Sequence, residues 1–559
     1  MNKQNMIILS DTNVNPLIRF LSGSFQGLSL EVTEGPYDQV YQSLMDTSHS
    51  VWNKPANMLF LWTVPEKAIP SFNKLIDFRS EFNINDILKE VDFFCELVLK
   101  QKNKYKHIFI SSWSILPDLR WIQTLTCKHN RGLSNILMQM NLRLAERLGD
   151  SDHIIILDTQ YWYASLQKKS YDAKMYALGK IRYSRDYFEL AGKEIRSIIS
   201  GLYGQSRKLI ICDLDNTLWG GIIGDDGISN IKLGGIDPVG ESFQLFQKEL
   251  LFLKRRGIIL AICSKNSQEI AMEMIETHPE MILRKEDFAA LKINWEDKAG
   301  NILEIVKELN LGLQSVVFLD DNPTERERIK QIFPEVLVPE LPIEFTRYPE
   351  FIQRLDCFES QVVTKEDLIR TEWYGQEKER DLNRLKVDSL NEWLHSLEIN
   401  LTVHKLDETS LKRAVQLLNK TNQFNMATHR YSEKEFWTWS LIPGNFVFIF
   451  DVNDKFGSSG STGLISVKLQ PYNKVELQDF VMSCRVMGKN IEEAMLAYIC
   501  KYFNTSNIIA NYIETPKNQP FNIFISNWLE INEEEQKLLL AELKMPNYIS
   551  LIEGVNIDG

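Results

Sequence analysis

Two carboxylates one residue apart, Asp213 and Asp215 in the run DLDNT, follow the apolar stretch Leu209-Ile210-Ile211-Cys212. A short apolar stretch of this kind reads as a buried strand, so both acids leave the sheet at a strand's carboxyl end. Like charges this close oppose each other's ionisation. A hard divalent cation with oxygen ligands, magnesium above all, removes that conflict and binds phosphate oxygens as well. Asp213 can then attack phosphorus to form an aspartyl phosphate, while Asp215 protonates the leaving oxygen and afterwards activates water.

That chemistry still needs a hydroxyl to hold the phosphoryl group, a fixed cation and further acidic ligands. Ser264, after IILAIC, fits the first. Lys298, at the start of the stretch KAGNILEIVKEL, fits the second, with Lys292 as the alternative. Asp320 and Asp321, closing SVVFLDD, fit the third, Asp321 being favoured as the direct ligand; the metal set is then Asp213, Asp215, Asp320 and Asp321. A single Asp after a strand is more often a turn or helix cap. It is the ordered set, DxDxT, Ser, Lys, Asp-Asp, each at its own strand or helix end, that carries the reading. After the first strand, TLWGGIIGDDGISNIKLGG has two apolar runs flanking Asp226-Gly227, which predicts a hairpin flap over the site.

The elements that must position these groups are legible as alternating strands and helices. Between Arg207 and Pro342 the strands KLIICDLD, IILAICSKN and SVVFLDDN alternate with helical stretches, and in an open parallel sheet their carboxyl ends converge on one crevice. Residues 1–203 also alternate apolar strands (NMIILS, NMLFLWTV, HIFISSWSIL, HIIILDTQ) with amphipathic helices, as an N-terminal α/β sandwich would. The glycine-rich break GLYGQS ends that part. The expected domains are 1–203, an α/β domain; 204–345, the phosphoryl-transfer domain; 346–395, a charged helical linker; and 396–559, an α+β domain of hairpin strands and helices.

With 559 residues the chain is too long for one core. A formal net charge of −12 argues against a general nucleic-acid partner, although Lys254-Arg255-Arg256 is a local basic run. Seven scattered cysteines without CxxC pairs read as reduced thiols in a cytoplasm. The run Met6-Ile7-Ile8-Leu9 is too short for a signal segment, and no stretch is long and apolar enough to span a membrane.

The segments ICDLDNTLWGGIIGDDG, ICSKN, FAALKINWEDKAGNI and VVFLDDNPTERE resemble the FkbH-like (HAD-IIIC) branch of the haloacid dehalogenase superfamily. So do LNKTNQFNMATHRYS, KFGSSGSTGLISV and FVMSCRVMGKNIEEAM, which extends the resemblance over about residues 200–559. Over 1–200 it rests on segment order and patches such as YDAKMYALGKIRYS, and implies an SGNH-like domain. The resemblance implies a central HAD-type Rossmannoid sheet followed by a GNAT-like domain. It also implies a function: removal of phosphate from a small phosphorylated acyl donor, 1,3-bisphosphoglycerate, and loading of the glyceryl unit onto an acyl carrier protein. By the same resemblance Asp213 and Asp215 are nucleophile and acid/base, Ser264 and Lys298 the phosphate-stabilising pair, and Asp320 and Asp321 the acidic metal pair.

Acyl transfer suits a thiol. Cys484, beside Arg485 and ahead of a helix, is the candidate, since a guanidinium and a helix N-terminus favour the thiolate; a structural role is the alternative reading. Cys263, ending a buried strand, reads as core. The same segment is similar to the RxxGxG/A loop of GNAT acyltransferases, with Arg485, Gly488 and Asn490 in position to bind a phosphopantetheine arm, and with Asn490 departing from the small residue of that pattern. His429 and Arg430 could bind an acyl phosphate or orient a carrier. Alternatives to the leading reading are a plain magnesium-dependent phosphatase, a carrier-binding scaffold, and an N-acyltransferase in amino-sugar biosynthesis.

Overall fold

The structure is a computed structural model that describes residues 2–25, 27–46, 48–76, 83–115, 124–151, 153–359, 389–471, 474–515, 517–531, 536–540 and 543–554. The chain divides into two compact units, Met1–Ser200 and Gly201–Gly559.

The first unit is built on a six-stranded sheet in the order β2-β3-β1-β4-β5-β6, formed by β1 (Asn2–Ser10), β2 (Gly23–Phe25), β3 (Leu28–Glu34), β4 (Met58–Trp62), β5 (His107–Ser111) and β6 (Ile154–Leu157). All neighbours are parallel except the β2–β3 pair. The continuous apolar runs noted in the sequence arise because both faces are covered. Ile7, Leu9, Leu59 and Leu61 pack with the helices Ile84–Leu99 and Leu133–Leu148, while Trp62 on the other face meets Trp162, Tyr187 and Phe188. At the carboxyl end of β1, Asp11 is buried and accepts a hydrogen bond from the Val64 amide at 3.4 Å. Nearby, the buried Arg182 forms an ion pair with the half-buried Glu66.

The second unit contains two sheets. The first has the order β10-β7-β8-β9, all parallel, from β7 (Leu209–Cys212), β8 (Ile259–Ser264), β9 (Phe288–Ile293) and β10 (Val316–Leu319). Period-two alternation divides its residues between two cores. Ile210, Cys212, Leu260 and Ile262 face Phe243, Phe246 and Leu250 of the helix Pro238–Arg255. Leu209, Ile211, Ala261 and Cys263 face Ile302 and Ile305 of the helix Lys298–Glu308. Cys263 is therefore core, as expected. Of the charged linker expected over 346–395, residues 360–388 lie outside the described residues. Its beginning, the helix Tyr348–Gln353, packs Tyr348 against Phe243 and Phe246.

The second sheet has eight strands in the order β16-β17-β15-β14-β13-β12-β11-β18. They are β11 (Ile399–Lys405), β12 (Asn445–Asp454), β13 (Gly457–Gln470), β14 (Lys474–Met482), β15 (Asn507–Ala510), β16 (Leu529–Ile531), β17 (Gln536–Leu539) and β18 (Ile549–Glu553). β11 to β14 form an antiparallel meander, β15 is parallel to β14, and the helix Ile491–Phe503 lies between those two strands in sequence. This is the α+β arrangement expected for the C-terminal part. β15 pairs with β14 only from Val475 to Leu477. Beyond that point the edge of β14 is taken by the chain itself: Met426 N donates to Phe480 O and Met482 N to Phe424 O, both at 3.0 Å, and Ile513 N donates to Met426 O. Among the described residues, no helix is long and apolar enough to cross a membrane.

Burial raises the Asp11 carboxyl from its ordinary 3.8 to about 7, with Asp38 and Glu66 adding to the rise and the Val64 amide and Lys67 opposing it. Between those values the folded state holds a proton that the unfolded chain has released, so stability falls as pH rises through this window. Asp11→Asn is expected to remove a pH dependence on the order of 4 kcal/mol. Hydrogen exchange of β1 and β4 peptides across the window, corrected for intrinsic rates, measures it; equal slopes in both proteins would refute the assignment.

Candidate active site

Asp213 and Asp215 leave β7 where the notch between β7 and its two neighbours opens, and Asp213 N is fixed by Leu319 O of β10 at 2.9 Å. Asn216 takes a left-handed conformation, φ 53°, which asparagine tolerates and most side chains do not. Its side chain accepts from Gly221 N at 3.0 Å, and the tight turn carries Asp215 away from Asp213.

Carboxylate oxygens of Asp213, Asp320 and Asp321 lie within 4.8 Å of one another. Into this group the helix Lys298–Glu308 sends its first residue. Lys298 Nζ is 2.6 Å from Asp320 Oδ2 and 3.1 Å from Asp213 Oδ2, and it is 3% exposed. Burial by itself would depress the ammonium; Asp213 and Asp320 outweigh burial and raise it. Asp320 is raised by burial and then by the Asp213 charge, against the pull of Lys298. Three carboxylates against one ammonium leave an excess of two negative charges in a buried place. Asp213 Oδ1 is buried there with no hydrogen-bond partner. A buried acceptor without a donor is costly, and a hard divalent cation meets both the charge and the missing partner.

The geometry separates the two lysines left open by the sequence. Lys292 turns to Glu304, whereas Lys298 enters the cluster. It also separates the two acids of β10: both Asp320 oxygens are engaged, Oδ2 by Lys298 and Oδ1 by Asn322 N at 2.9 Å, while Asp321 is fixed through its backbone, its amide donating to Thr217 Oγ1 at 3.2 Å. Ser264 ends β8 beside them, 2% exposed.

Asp215 departs from the expected metal set. Its side chain is not part of the cluster, because three donors already satisfy it: Trp219 Nε1 at 2.8 Å, Ile223 N at 3.1 Å and Asn266 Nδ2 at 2.9 Å. Burial still raises its carboxyl, with Asp213 adding and the Ile223 and Trp219 donors opposing. A carboxyl held in place and shifted upward suits a proton carrier better than a metal ligand. Trp219 and Asn266 lie inside the motifs TLWGG and ICSKN but were given no role from sequence, since neither residue type announces chemistry. Arg326 was missed likewise; its guanidinium ties down the carbonyls of Asp320 and Asp321 at 2.8 and 2.6 Å.

The expected hairpin flap has another form. Gly220 and Lys232 make a single antiparallel bridge, and between them Ile223–Asp226 is a turn of helix. Asp226 N donates to Ile222 O, and the Asp226 carboxylate accepts from Ile222 N at 2.8 Å, so the turn closes on itself through a side-chain cap where a two-stranded ladder was expected.

Cys484 is not brought to this site. It lies past β14 in a 3-10 turn, Cys484–Val486, and its carbonyl accepts from Asn310 Nδ2 at 2.7 Å. With Lys208, Ile259, Gln314 and Ser315, which precede or begin β7, β8 and β10, it lines a cleft at the amino edge of the four-stranded sheet. Asp213, Ser264, Asp320 and Asp321 stand at the carboxyl edge. From Lys208 to Asp213 is five residues of extended chain, roughly 16 Å at about 3.3 Å per residue.

The expected pantetheine-binding residues Arg485, Gly488 and Asn490 lie in the loop between β14 and the helix Ile491–Phe503. Five residues lie between Cys484 and Asn490, the cap of the helix Ile491–Phe503, so the thiol is not at the helix N-terminus. Gly488 (φ 79°) and Asn490 (φ 54°) are both left-handed, and Arg485 donates to Ser459 O at 3.5 Å. His429 Nδ1 meets the buried Asp479 at 3.0 Å, and Arg430 bonds Asn422 Oδ1 at 2.6 Å.

No protein-family model matches the sequence, and no curated protein matches it. Among solved structures, the chain is similar to the N-terminal part of the protein BF1531 from Bacteroides fragilis, which contains a phosphatase domain and was crystallised with Mg; identity is 30%, TM-score 0.58, and the match covers 64% of this chain and 95% of that one. It also aligns with a GNAT-family acetyltransferase from Staphylococcus aureus Mu50 (12% identity, 24% of this chain and 96% of that one, TM-score 0.20). A spermidine N-acetyltransferase chimera from Vibrio cholerae aligns at 15% identity, over 26% of this chain and 97% of that one, with TM-score 0.20. At 30% identity over nearly all of the Bacteroides chain, this protein belongs to the same family of haloacid dehalogenase-like, phosphatase-domain proteins.

Proposed function

We propose that the chain is a magnesium-dependent phosphoryl-transfer enzyme of the FkbH-like kind, acting on a small phosphorylated acyl compound whose acyl group passes to an acyl carrier protein. The observation that carries the phosphatase part is the buried set Asp213, Asp320, Asp321 and Lys298 at one sheet edge. The magnesium bound by the Bacteroides relative supports the choice of ion. When held by Asp213, Asp320 and Asp321, magnesium supplies neutralisation of the phosphoryl oxygens' charge.

In this reading an Asp213 oxygen attacks phosphorus, the bond from phosphorus to the ester oxygen breaks, and the Asp215 proton goes to that oxygen as the alcohol leaves. Asp215 then takes a proton from water, which hydrolyses the aspartyl phosphate. Lys298 and Ser264 hold the transferring oxygens, and Trp219, Ile223 N and Asn266 hold Asp215.

Attack at phosphorus on an acyl phosphate would release an unactivated carboxylate. For a donor such as 1,3-bisphosphoglycerate, the Asp213 site therefore suits the phosphate ester, and the acyl phosphate is left for a thiol to attack at its carbonyl carbon, expelling phosphate. Cys484 or the carrier's own thiol fits that second role. The position of Cys484 at the opposite sheet edge also favours a second reading, in which the Asp213 site is a plain phosphatase and acyl transfer is not part of the activity.

Incubation with acyl phosphates, magnesium and a pantetheinylated carrier, followed by intact mass, distinguishes them: an acyl adduct on carrier supports the first reading, phosphate release alone the second. Asp213→Asn is expected to lower phosphate release by about a thousandfold or more with folding intact, and retention of turnover would refute the nucleophile. Asp215→Asn is expected to cost about 10²- to 10⁴-fold and to abolish the alkaline limb of the kcat profile, which in the wild type lies above the ordinary Asp range because burial raises that carboxyl. Chelation should stop phosphate release and added Mg2+ restore it; activity indifferent to chelator would exclude the metal.

A further inference from the structure

Lys265 stands between Ser264, which ends β8, and Asn266, whose side chain donates to the Asp215 carboxylate at 2.9 Å. It has no part in the chemistry derived for the Asp213 site. Its Nζ is 2.6 Å from Glu325 Oε1; the Lys265 side chain is 39% exposed and that of Glu325 14%. Glu325 belongs to the first turn of the helix Pro323–Ile332, which follows β10. In the sheet order β10-β7-β8, a link from the tip of β8 to the helix after β10 passes the tip of β7, and Asp213 is the first residue beyond that tip. Two ammoniums thus serve one edge: Lys298, buried among the acids, and Lys265, at the rim and open to solvent.

The two halves of the rim pair differ in how firmly they are held. The helix of Glu325 is capped by Asn322, which accepts from Thr324 N at 2.9 Å, and the next residue, Arg326, is fixed on the carbonyls of Asp320 and Asp321. Glu325 is therefore an anchor, and its second oxygen, Oε2, is buried with no hydrogen-bond partner. A partly exposed ion pair adds little to stability, and a buried oxygen left unpaired subtracts from it. Stability alone does not account for this arrangement; holding an ammonium at the mouth of the site does. Lysine carries three donors on a flexible stem, of which Glu325 Oε1 takes one.

We propose that Lys265 is a specificity-determining residue: positioned by Glu325, its ammonium binds a second anionic group, carried by the alcohol part of a short phosphate monoester whose phosphoryl group lies at Asp213. The leaving oxygen takes its proton from Asp215, so the alcohol leaves beside Asn266, the sequence neighbour of Lys265. The other cations of this edge are committed: Lys298 to Asp213 and Asp320, and Arg326 to the two carbonyls and to Glu340 at 3.0 Å. A carboxylate and a second phosphate share the required chemistry. The inference rests on the phosphoryl-transfer part of the proposed function, names the esters that site prefers, and does not involve Cys484.

Calorimetry on the full chain carrying Asp213→Asn, with Mg2+ present, tests it by comparing 3-phosphoglycerate with glycerol 3-phosphate, which differ only in a carboxylate against a hydroxymethyl group. The carboxylate compound is expected to bind about tenfold tighter. Adding Lys265→Gln is expected to erase that preference and Lys265→Arg to keep it. Glu325→Gln leaves the ammonium in place and is expected to keep most of the preference, whereas a merely structural bridge would be broken alike by Lys265→Gln and Glu325→Gln. The preference for propane-1,3-diol bisphosphate over 3-hydroxypropyl phosphate, if larger than that for 3-phosphoglycerate, assigns a second phosphate; if smaller, a carboxylate. Equal affinity within both pairs of probes, no binding of any, or a preference that survives Lys265→Gln would overturn the assignment. The affinity ratio is read without turnover, so phosphate release by Asp213→Asn would refute the nucleophile and leave the Lys265 preference standing.

Discussion

The ammonium of Lys298 lies between two carboxylates that arrive from different strands, and the active-site end of the four-stranded sheet is organised around it. Without it, the buried Asp213 and Asp320 and the half-buried Asp321 would place three negative charges side by side. Removing one partner from such a group leaves uncompensated buried charge, which costs several kcal/mol. The surroundings serve the same end. Arg326 fixes the backbone of the acidic pair, Thr217 receives the Asp321 amide, and the left-handed Asn216 swings Asp215 out of the crowd and onto its own three donors. One pair of neighbouring acids is thereby given two environments, one facing a cation and one facing hydrogen-bond donors. Divergence of this kind is how two identical side chains come to differ in proton affinity.

Much of this was legible in the sequence, because strand ends are marked by an abrupt change from apolar to polar residues. LIIC, ILAICS and VVFL are unmistakable as buried strands, and parallel order follows from the intervening helices. Their tips therefore had to meet, and Asp213, Lys298, Asp320 and Asp321 do lie together, with Ser264 at the same edge of the sheet. The parts that escaped depend on contacts between residues far apart in the chain or on side chains with no reactive group. Nothing in TLWGG or ICSKN distinguishes Trp219 and Asn266 as partners of Asp215. The flap was misread because Asp226-Gly227 is a good hairpin pair locally, yet the Asp226 carboxylate found the Ile222 amide first and closed a helical turn.

The location of Cys484 relative to the four-stranded sheet was not legible for a different reason. Adjacent charge and a following helix are local signals, and they say nothing about which rim of another sheet the residue will face. The packing of Asn310 and Lys208 against the C-terminal segment decided that. Asp11 drew no reading from the sequence, because only its burial beside the Val64 amide in the fold makes an ordinary aspartate protonatable.

The strands of the four-stranded sheet are short, four to six residues each. They nevertheless form a dry partition, filled by Ile211, Ile262 and Phe318, between a rim rich in acids and the rim that bears the Cys484 cleft. A compound that visits both must travel around the outside through solvent or be carried on a tether. With a packed layer between them, the residues of one rim do not touch those of the other, so a substitution at either rim leaves the opposite one in place.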